Sequence, residues 1–221
     1  MPPRISPDQI PGAPDLSFEI AHWDSGITHI AGIDEAGRGA LAGPVAAAAV
    51  ILPNDRTLIN ILEGVRDSKE MTPSMRTIWK IQLQEVALAW SVGLASQFEI
   101  DNIGILPATH LAAQRALDAL HIQPGHLLLD YLFLPDANQP QTSLIKGDKR
   151  SLSIAAASIF AKTTRDSLMC ELETRYPGYG FTSHKGYGTK AHIKKLNELG
   201  PSPAHRFTFH PAAEITKKNR E

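Results

Sequence analysis

Acidic side chains stand at three places where the sequence predicts that a strand ends. Asp34 and Glu35 follow one apolar run, Asp130 follows the uniformly apolar residues 127–129, and Asp148 completes a Lys-Gly-Asp triplet. Acids are rarely buried without a partner in such places. If the strands before Asp34 and Asp130 are neighbours, two like charges about 4 Å apart repel by roughly 4 kcal/mol at an effective dielectric near 20. A hard divalent cation removes this repulsion, so the sequence predicts a metal site.

A glycine-rich turn, from Gly37 to Pro44, directly follows the first two acids. Its backbone N–H groups can approach a nucleic-acid strand closely because few side chains intervene. A dinucleotide-binding turn is another explanation of the glycines. That motif opens a helix, however, whereas Pro44 leads into an apolar run typical of a strand.

The spacing of apolar residues places these acids on an α/β fold. Strands are predicted over residues 28–33, 45–52, 90–95, 127–130 and 142–146, and helices over 73–89, 153–173 and 189–199, with two more between 99 and 120. The first two strands are predicted to be antiparallel, because the turn between them is too short for a crossover. We therefore expect a sheet flanked by helices, followed by a helical C-terminal appendage.

Several motifs resemble, in their order along the chain, the signatures of the ribonuclease HII family. They are Gly32-Ile33-Asp34-Glu35-Ala36-Gly37-Arg38-Gly39, Asp67-Ser68-Lys69, Lys146-Gly147-Asp148, the run from Ser153 to Ile159 with Lys162, Arg165 and Asp166, His184-Lys185-Gly186-Tyr187-Gly188-Thr189 with His192, and His205-Arg206 with Phe209. The resemblance spans residues 30–211 and implies a ribonuclease H-like mixed β-sheet. It departs from the family at Tyr131, because glycine usually follows the third acid there.

The resemblance also implies the chemistry. Asp34, Glu35, Asp130 and Asp148 match the family's catalytic and metal-binding carboxylates, which implies two Mg²⁺ or Mn²⁺ ions during catalysis. The implied activity is hydrolysis of the RNA strand of RNA/DNA hybrids, and incision on the 5' side of single ribonucleotides embedded in DNA. The products would carry 5'-phosphate and 3'-hydroxyl ends.

Contacts to the nucleic acid are expected from a wider set of residues. They are Gly37, Arg38, Gly39, Lys69, Lys146, Ser158, Lys162, Lys185, Tyr187 and Arg206. In the family, the Gly-Arg-Gly backbone and the tyrosine sense the 2'-hydroxyl that distinguishes RNA from DNA. The cations are expected to contact phosphates. Ser158 and Lys162, four residues apart on one helical face, could reach the same strand or form a helix-surface pair.

The formal net charge of −1 does not by itself indicate a nucleic-acid-binding protein, but the charge is unevenly distributed. From residue 184 to residue 221 there are eight basic residues against three glutamates. The basic residues are Lys185, Lys190, Lys194, Lys195, Arg206, Lys217, Lys218 and Arg220. We interpret this end as a basic arm, although a merely solvated face is an alternative.

These observations predict three segments: a flexible leader over 1–28, a ribonuclease H-like catalytic domain over 29–175 and a basic helical extension over 176–221. No apolar run is long enough to span a membrane, and the leader lacks the pattern of a secretory signal. The one cysteine, Cys170, excludes an internal disulfide and fits a reducing compartment. We expect a cytoplasmic monomer that acts on RNA/DNA hybrids and ribonucleotide-containing DNA.

Other interpretations remain open on the residues alone. Each acid taken singly could pair with its own lysine or arginine. The same acids could serve a phosphatase or nucleotide hydrolase with a small substrate, although the basic arm argues against it. A catalytically silent nucleic-acid-binding protein would not need four carboxylates that repel phosphate. A zinc site from His184, His192, His205 and His210 lacks the usual ligand spacing.

Overall fold

A computed structural model describes residues 10–218 of the chain, with side chains from 10 to 215. Residues 1–9 of the leader and Arg220 of the basic arm lie outside this range, as do the side chains of Lys217 and Lys218. No helix in the described part is long and apolar enough to cross a membrane.

A mixed five-stranded sheet forms the centre of the molecule. The strands are β1 (Ile30–Ala36), β2 (Val45–Ile51), β3 (Ala89–Ala95), β4 (His126–Asp130) and β5 (Gln141–Leu144). Their order across the sheet is β3-β2-β1-β4-β5. The first three strands pair antiparallel, and β4 and β5 run parallel to β1. The predicted antiparallel start of the sheet is confirmed, and β1 and β4 are neighbours.

Nine α-helices in the described range surround or follow the sheet. They are α1 (Ser17–Asp24), α2 (Leu58–Ile61), α3 (Pro73–Val86), α4 (Gln97–Ile103), α5 (Ile105–Asp118), α6 (Leu152–Arg175), α7 (Phe181–His184), α8 (Lys190–Leu199) and α9 (Ala212–Lys218). The predicted α/β class and the helical C-terminal appendage are confirmed. The division into three segments stays a prediction.

Helices α5 and α6 cover opposite faces of the sheet, and two glycines let them approach it closely. A Cβ at Gly93 would lie 2.1 Å from the carbonyl oxygen of Ala112 on α5, and one at Gly32 would lie 2.2 Å from the backbone of Ser153 on α6. Every residue of β2 is buried, because both of its faces are covered. The first turn of α6 is thereby packed against β1 two residues before Asp34.

Part of the predicted flexible leader is folded, which corrects that expectation. Helix α1 buries Trp23 in the core, together with Leu16 just before it. The carboxylate of Glu19 is buried and accepts hydrogen bonds from the Ser151 hydroxyl (2.6 Å), the Ser153 hydroxyl (2.6 Å) and the Ser153 N–H (3.0 Å). Helix α1 is therefore attached to the beginning of α6.

Candidate active site

Three of the predicted acids converge at one end of the sheet. Ile33 of β1 pairs with Leu129 of β4, so Asp34 and Asp130 follow at adjacent strand positions. Asp148 lies in a 3-10 turn, Gly147–Lys149, just before α6. One carboxylate oxygen from each of the three acids lies within 4.8 Å of the others. The structure therefore brings together side chains that are distant in the sequence.

Burial makes negative charge unfavourable in this cluster. It raises the pKa of Asp34 well above its usual value, and the neighbouring Glu35 and Asp130 carboxylates raise it further. Burial is also the main cause of the raised pKa of Asp130. The pKa of Asp148 is raised to about 6 by burial and by the charges of Asp130 and Asp67. Burial is the largest cause of each shift, and a cation bound beside the acids would oppose all three shifts.

Lys69 supplies a positive charge beside these acids. Its Nζ lies 3.5 Å from Asp148 Oδ2 and 3.9 Å from Asp67 Oδ1. Partial burial opposes protonation, but Asp34, Asp67 and Asp148 outweigh it and raise the pKa of Lys69. The side chain remains 67% exposed, so it can also reach a bound ligand.

Glu35 lies beside the three-acid cluster but outside the group defined by the 4.8 Å separation. Its Oε1 accepts a hydrogen bond from Arg38 Nη1 at 3.0 Å. Its Oε2 is buried and has no hydrogen-bond partner among the described residues. An unsatisfied carboxylate oxygen next to three crowded acids fits a hard divalent cation, which prefers oxygen ligands.

A cleft of about 470 Å³ lies beside the acids and collects several predicted substrate contacts. Gly37, Arg38 and Gly39 line it, together with Lys69, Lys162 and Tyr187. Tyr187 is 36% exposed, and Ala40 pairs with it in an isolated β-bridge. The structure therefore brings the Gly-Arg-Gly turn and Tyr187 to the same cleft.

Arg206 is placed differently from the predicted phosphate contact. It is fully buried, and its guanidinium donates to the carbonyl oxygens of Gly43 (3.0 Å), Arg38 (2.8 Å) and Gly37 (2.7 Å). With its donors directed to the backbone and no exposed surface, it cannot contact a phosphate in this structure. The prediction of a phosphate contact is therefore wrong, and Arg206 is instead a positioning residue, because its guanidinium holds the Gly-Arg-Gly turn.

Arg165 is a second buried arginine at the same place, and no role was predicted for it from the sequence. Its guanidinium donates to the carbonyl oxygens of Pro44 (2.9 Å), Lys185 (2.9 Å) and Ala42 (3.0 Å) and lies 5.3 Å from the centre of the Tyr187 ring. It therefore links the turn after β1 to the Tyr187 segment. A guanidinium directed at carbonyl groups leaves no pattern in the sequence that distinguishes it from a surface arginine.

Ser158 also differs from its predicted role as a direct contact. It is 1% exposed. Its hydroxyl accepts from the Ser68 N–H at 3.1 Å and donates to the Ala155 carbonyl at 2.8 Å. Ser158 therefore supports the segment that carries Lys69. Lys162 lines the cleft, but its ammonium is paired with Asp166 at 2.7 Å.

The two remaining predicted contacts are lysines at the edges of the site. Lys146 is exposed and lies two residues before Asp148. Lys185 is half-buried two residues before Tyr187, and its Nζ donates to Cys170 Sγ at 3.0 Å. Cys170 is also half-buried.

Two of the histidines considered for zinc, His192 and His205, instead form part of the support of Tyr187. The Ser202 N–H donates to His205 Nδ1 (3.0 Å), His205 and His192 share a hydrogen bond between their Nε2 atoms (3.1 Å), and His192 Nδ1 lies 3.0 Å from the Tyr187 carbonyl. Because a carbonyl can only accept, His192 carries its proton on Nδ1 and accepts from His205. These histidines do not form a metal-type cluster within the described residues.

Solved structures with the same fold are ribonucleases H. The ribonuclease H2 from Pyrococcus horikoshii OT3 matches with a TM-score of 0.72 and 27% identity over 87% of this chain and 99% of that one. The Bst-RNase HIII structure in complex with Mn²⁺ has a TM-score of 0.64 and 18% identity over 88% and 71% of the two chains, which shows the fold alone. Fold and carboxylate cluster together define a nuclease of the ribonuclease H class.

The family within this class follows from the sequence comparisons. The model of the ribonuclease HII family matches residues 31–212. Ribonuclease HII from Synechococcus sp. is 50% identical over 202 residues, which are 91% of this chain and 90% of that protein. The enzyme from Chloroflexus aurantiacus is also 50% identical over 202 residues, 91% and 95% of the two chains. The chain belongs to the ribonuclease HII family of hydrolytic endoribonucleases.

Proposed function

We propose that this protein hydrolyses the RNA strand of RNA/DNA hybrids and incises on the 5' side of single ribonucleotides embedded in DNA. The products carry 5'-phosphate and 3'-hydroxyl ends. The observation that supports this most directly is the convergence of Asp34, Asp130 and Asp148 within 4.8 Å beside a cleft lined by Gly37 to Gly39 and Tyr187. A phosphodiester next to that cleft lies within reach of the acids.

Asp34, Asp130, Asp148 and Glu35 would hold two Mg²⁺ or Mn²⁺ ions. When bound, such ions lower the pKa of an attacking water and stabilise the departing 3' oxygen. Backbone N–H groups of the chain orient two of these carboxylates. Asp130 is oriented by the Gly147 N–H, which donates to its Oδ1 at 2.7 Å, and Asp34 is oriented by the Glu35 N–H, also at 2.7 Å.

Recognition of a ribonucleotide depends on its 2'-hydroxyl. The backbone of Gly37 to Gly39 and the hydroxyl of Tyr187 are the groups that we assign to this task. Tyr187 has no hydrogen bond from its hydroxyl within the described residues, so both its donor and its acceptor capacity are available. Arg38 and Lys69 line the same cleft and contact the phosphates next to the ribonucleotide.

We also propose that the protein acts as a monomer in the cytoplasm. A single cysteine suits a reducing compartment, and one chain supplies every residue of the site.

The decisive assay uses a DNA duplex with one ribonucleotide, incubated with Mg²⁺ or Mn²⁺, and maps the position and end groups of the cut. We expect incision on the 5' side of the ribonucleotide and none in the all-DNA duplex. EDTA should stop cleavage but leave duplex binding largely intact. Cleavage of mononucleotides instead would support a small-substrate hydrolase, and binding without any cleavage would support a silent binding protein.

Asp34→Asn tests the assignment of the acids. We expect a loss of cleavage on the order of a thousandfold or more, the scale seen when a group that stabilises transition-state charge is removed. Duplex affinity, measured by fluorescence anisotropy, should change little, because the variant removes a negative charge. Asp118→Asn, on the far end of α5, is the control. Retained turnover in Asp34→Asn would contradict the assignment.

A further inference from the structure

Three non-glycine residues of the described chain have a positive φ, and each lies beside a residue of the site. Tyr131 (φ 47°) directly follows Asp130, Lys146 (φ 53°) lies two residues before Asp148, and Lys185 (φ 53°) lies two residues before Tyr187. This left-handed conformation is unfavourable for bulky side chains. Strain of this kind clusters at functional sites, where it serves the position of a side chain or backbone group.

Tyr131 begins a segment whose side chains alternate between solvent and core. Leu132 and Leu134 are 4% and 1% exposed and belong to the core, whereas Tyr131 and Phe133 are 54% and 61% exposed. Neither aromatic side chain has a hydrogen bond, ion pair or ring contact within the described residues. Two exposed rings without a partner among the described residues therefore lie in this segment, the first of them directly after Asp130.

The two aromatic residues and Lys146 occupy the side of the acids opposite to the Gly-Arg-Gly turn. The sheet order places β2 on one side of β1, and β4 and β5 on the other. The turn connects β1 to β2, whereas Tyr131 follows β4 and its N–H donates to the Leu144 carbonyl of β5 at 2.9 Å. Lys146 follows β5 by two residues and has no ion pair within the described residues. The acids thus lie between the Gly-Arg-Gly turn on one side and the segments that carry Tyr131 and Lys146 on the other.

We propose that Tyr131, Phe133 and Lys146 form a second contact with the nucleic-acid duplex, in which the rings stack on a base or sugar and Lys146 neutralises a phosphate. This inference rests on the proposed function. Nucleic acid is the occupant that the site favours, because Tyr131 directly follows Asp130 and Lys146 lies two residues before Asp148, and a phosphodiester must reach both acids. Aromatic rings with a nearby cation are also the usual combination for binding bases together with a phosphate backbone.

The position of the patch sets the distance from the cut. Two strand spacings separate β1 from β5, which is about 10 Å. At roughly 3.4 Å of duplex axis per nucleotide, the contact falls within about three nucleotides of the scissile phosphate, on one side of it only. Shortening the duplex on that side must therefore remove the contact, and shortening it on the other side must not.

Tyr131→Gly separates binding from folding, because the two effects have opposite directions. Glycine adopts a positive φ without strain, so the melting temperature should be unchanged or higher. Loss of one stacking contact should raise KM for a ribonucleotide-containing duplex about tenfold, with kcat nearly unchanged. Tyr131→Phe keeps the ring and should behave as the wild type.

Two comparisons make the test specific. The wild type should lose affinity when the duplex on one side of the ribonucleotide is shortened to about two base pairs, which is less than the ~10 Å between β1 and β5. The affinity of Tyr131→Gly should not change when the duplex is shortened on that side. The matched control is Ile61→Ala, since Ile61 is equally exposed at 54% but lies in α2, which follows β2 at the opposite end of the sheet. Ile61→Ala should leave KM unchanged, whichever side of the duplex is shortened.

An unchanged KM in Tyr131→Gly would overturn the proposal, and so would an increase that is the same for both shortened duplexes or that comes with a lower melting temperature. Anisotropy measurements of duplex binding distinguish this failure from failure of the proposed function. A chain that binds the duplex through Tyr131 without cutting it would overturn the proposed function alone.

Discussion

Tyr187 presents a free hydroxyl to the cleft, and two cationic side chains lie near its ring. Lys162 Nζ lies 5.6 Å from the ring centre and the Arg165 guanidinium 5.3 Å. Tyr187→Phe therefore keeps the ring in place and removes one hydrogen bond, typically worth about 1 kcal/mol. We expect kcat/KM at a single embedded ribonucleotide to fall about five- to tenfold, measured by initial rates.

The control for this prediction is Tyr179→Phe. The Tyr179 hydroxyl donates to the Gly200 carbonyl at 2.7 Å and does not line the cleft, so its loss should lower stability and leave discrimination unchanged. Undiminished cleavage by Tyr187→Phe would remove this hydroxyl from ribonucleotide recognition.

Substitution of Arg206 distinguishes two roles for its side chain, contact with a phosphate and support of the Gly-Arg-Gly turn. A phosphate contact would survive Arg206→Lys, because the charge remains. A buried guanidinium that donates to three carbonyl oxygens would not be replaced by lysine, because an ammonium cannot reproduce its planar geometry. We expect Arg206→Lys to lower the free energy of unfolding by roughly 2–5 kcal/mol, as buried carbonyls lose their donors.

Urea denaturation measures this loss, and Arg56→Lys is the matched control. Arg56 is 63% exposed and pairs with Asp24 at the surface, so its substitution should leave stability nearly unchanged. A stable Arg206→Lys variant would contradict the positioning role.

Single residues differ in how well the sequence predicts their place. The grouping of Asp34, Asp130 and Asp148 could be predicted, because all three lie at predicted strand ends and match the carboxylates of the family that the motifs resemble. The burial of Ser158 and Arg206 could not. Charge and spacing along the chain do not tell whether a polar group points to solvent or to backbone groups from a distant segment.

At the scale of elements, helix α1 supports the loop that carries Asp148. Besides the hydrogen bonds to Glu19, the Leu152 N–H donates to the Asp15 carbonyl at 2.8 Å. Glu19→Ala leaves buried donors of Ser151 and Ser153 without their acceptor, which should cost about 1–3 kcal/mol of stability. We further expect a severalfold higher Mg²⁺ concentration for half-maximal activity at an unchanged KM for the duplex.

Metal titration of the initial rate, beside urea denaturation, checks both effects of Glu19→Ala. Glu63→Ala, at an exposed position, should alter neither. If Glu19→Ala lowers stability but leaves the metal dependence unchanged, α1 stabilises the core without positioning Asp148.

The strongly patterned elements could be predicted, and their bounds agree within a few residues. Helix α1 could not, because it follows a proline-rich segment and is held by contacts with the beginning of α6, which is more than a hundred residues away. In α3 the apolar spacing does not reveal which face is buried. Ile78 and Ile81 are 57% and 54% exposed, whereas Arg76 and Leu83 are buried.

At the scale of the whole molecule, the burial of His205 makes the free energy of unfolding depend on pH. Burial, followed by the nearby His192, lowers the pKa of His205 to about 4 from a usual value of 6.5. The unfolded chain therefore binds the proton first as the pH falls. His205 destabilises the fold progressively between pH 6.5 and 4, by at most about 3 kcal/mol, and has no such effect above pH 6.5.

Urea denaturation across this range should show a steeper loss of stability in the wild type than in His205→Gln. The comparison between the two proteins cancels the opposite contribution of the buried acids. His121→Gln, at an exposed position, should follow the wild type. Parallel pH profiles for wild type and His205→Gln would contradict the neutral state assigned to His205.

The pairing of β1 with β4 has a consequence for biosynthesis. Between Asp34 and Asp130 the chain passes through two strands and four helices, and all of them precede β4 as the ribosome delivers the polypeptide. A nascent chain that ends before β4 lacks two of the three clustered acids, Asp130 and Asp148, and one that ends before α6 lacks the helix next to Asp148. Nuclease activity therefore arises late in translation, after most of the sheet is available for folding.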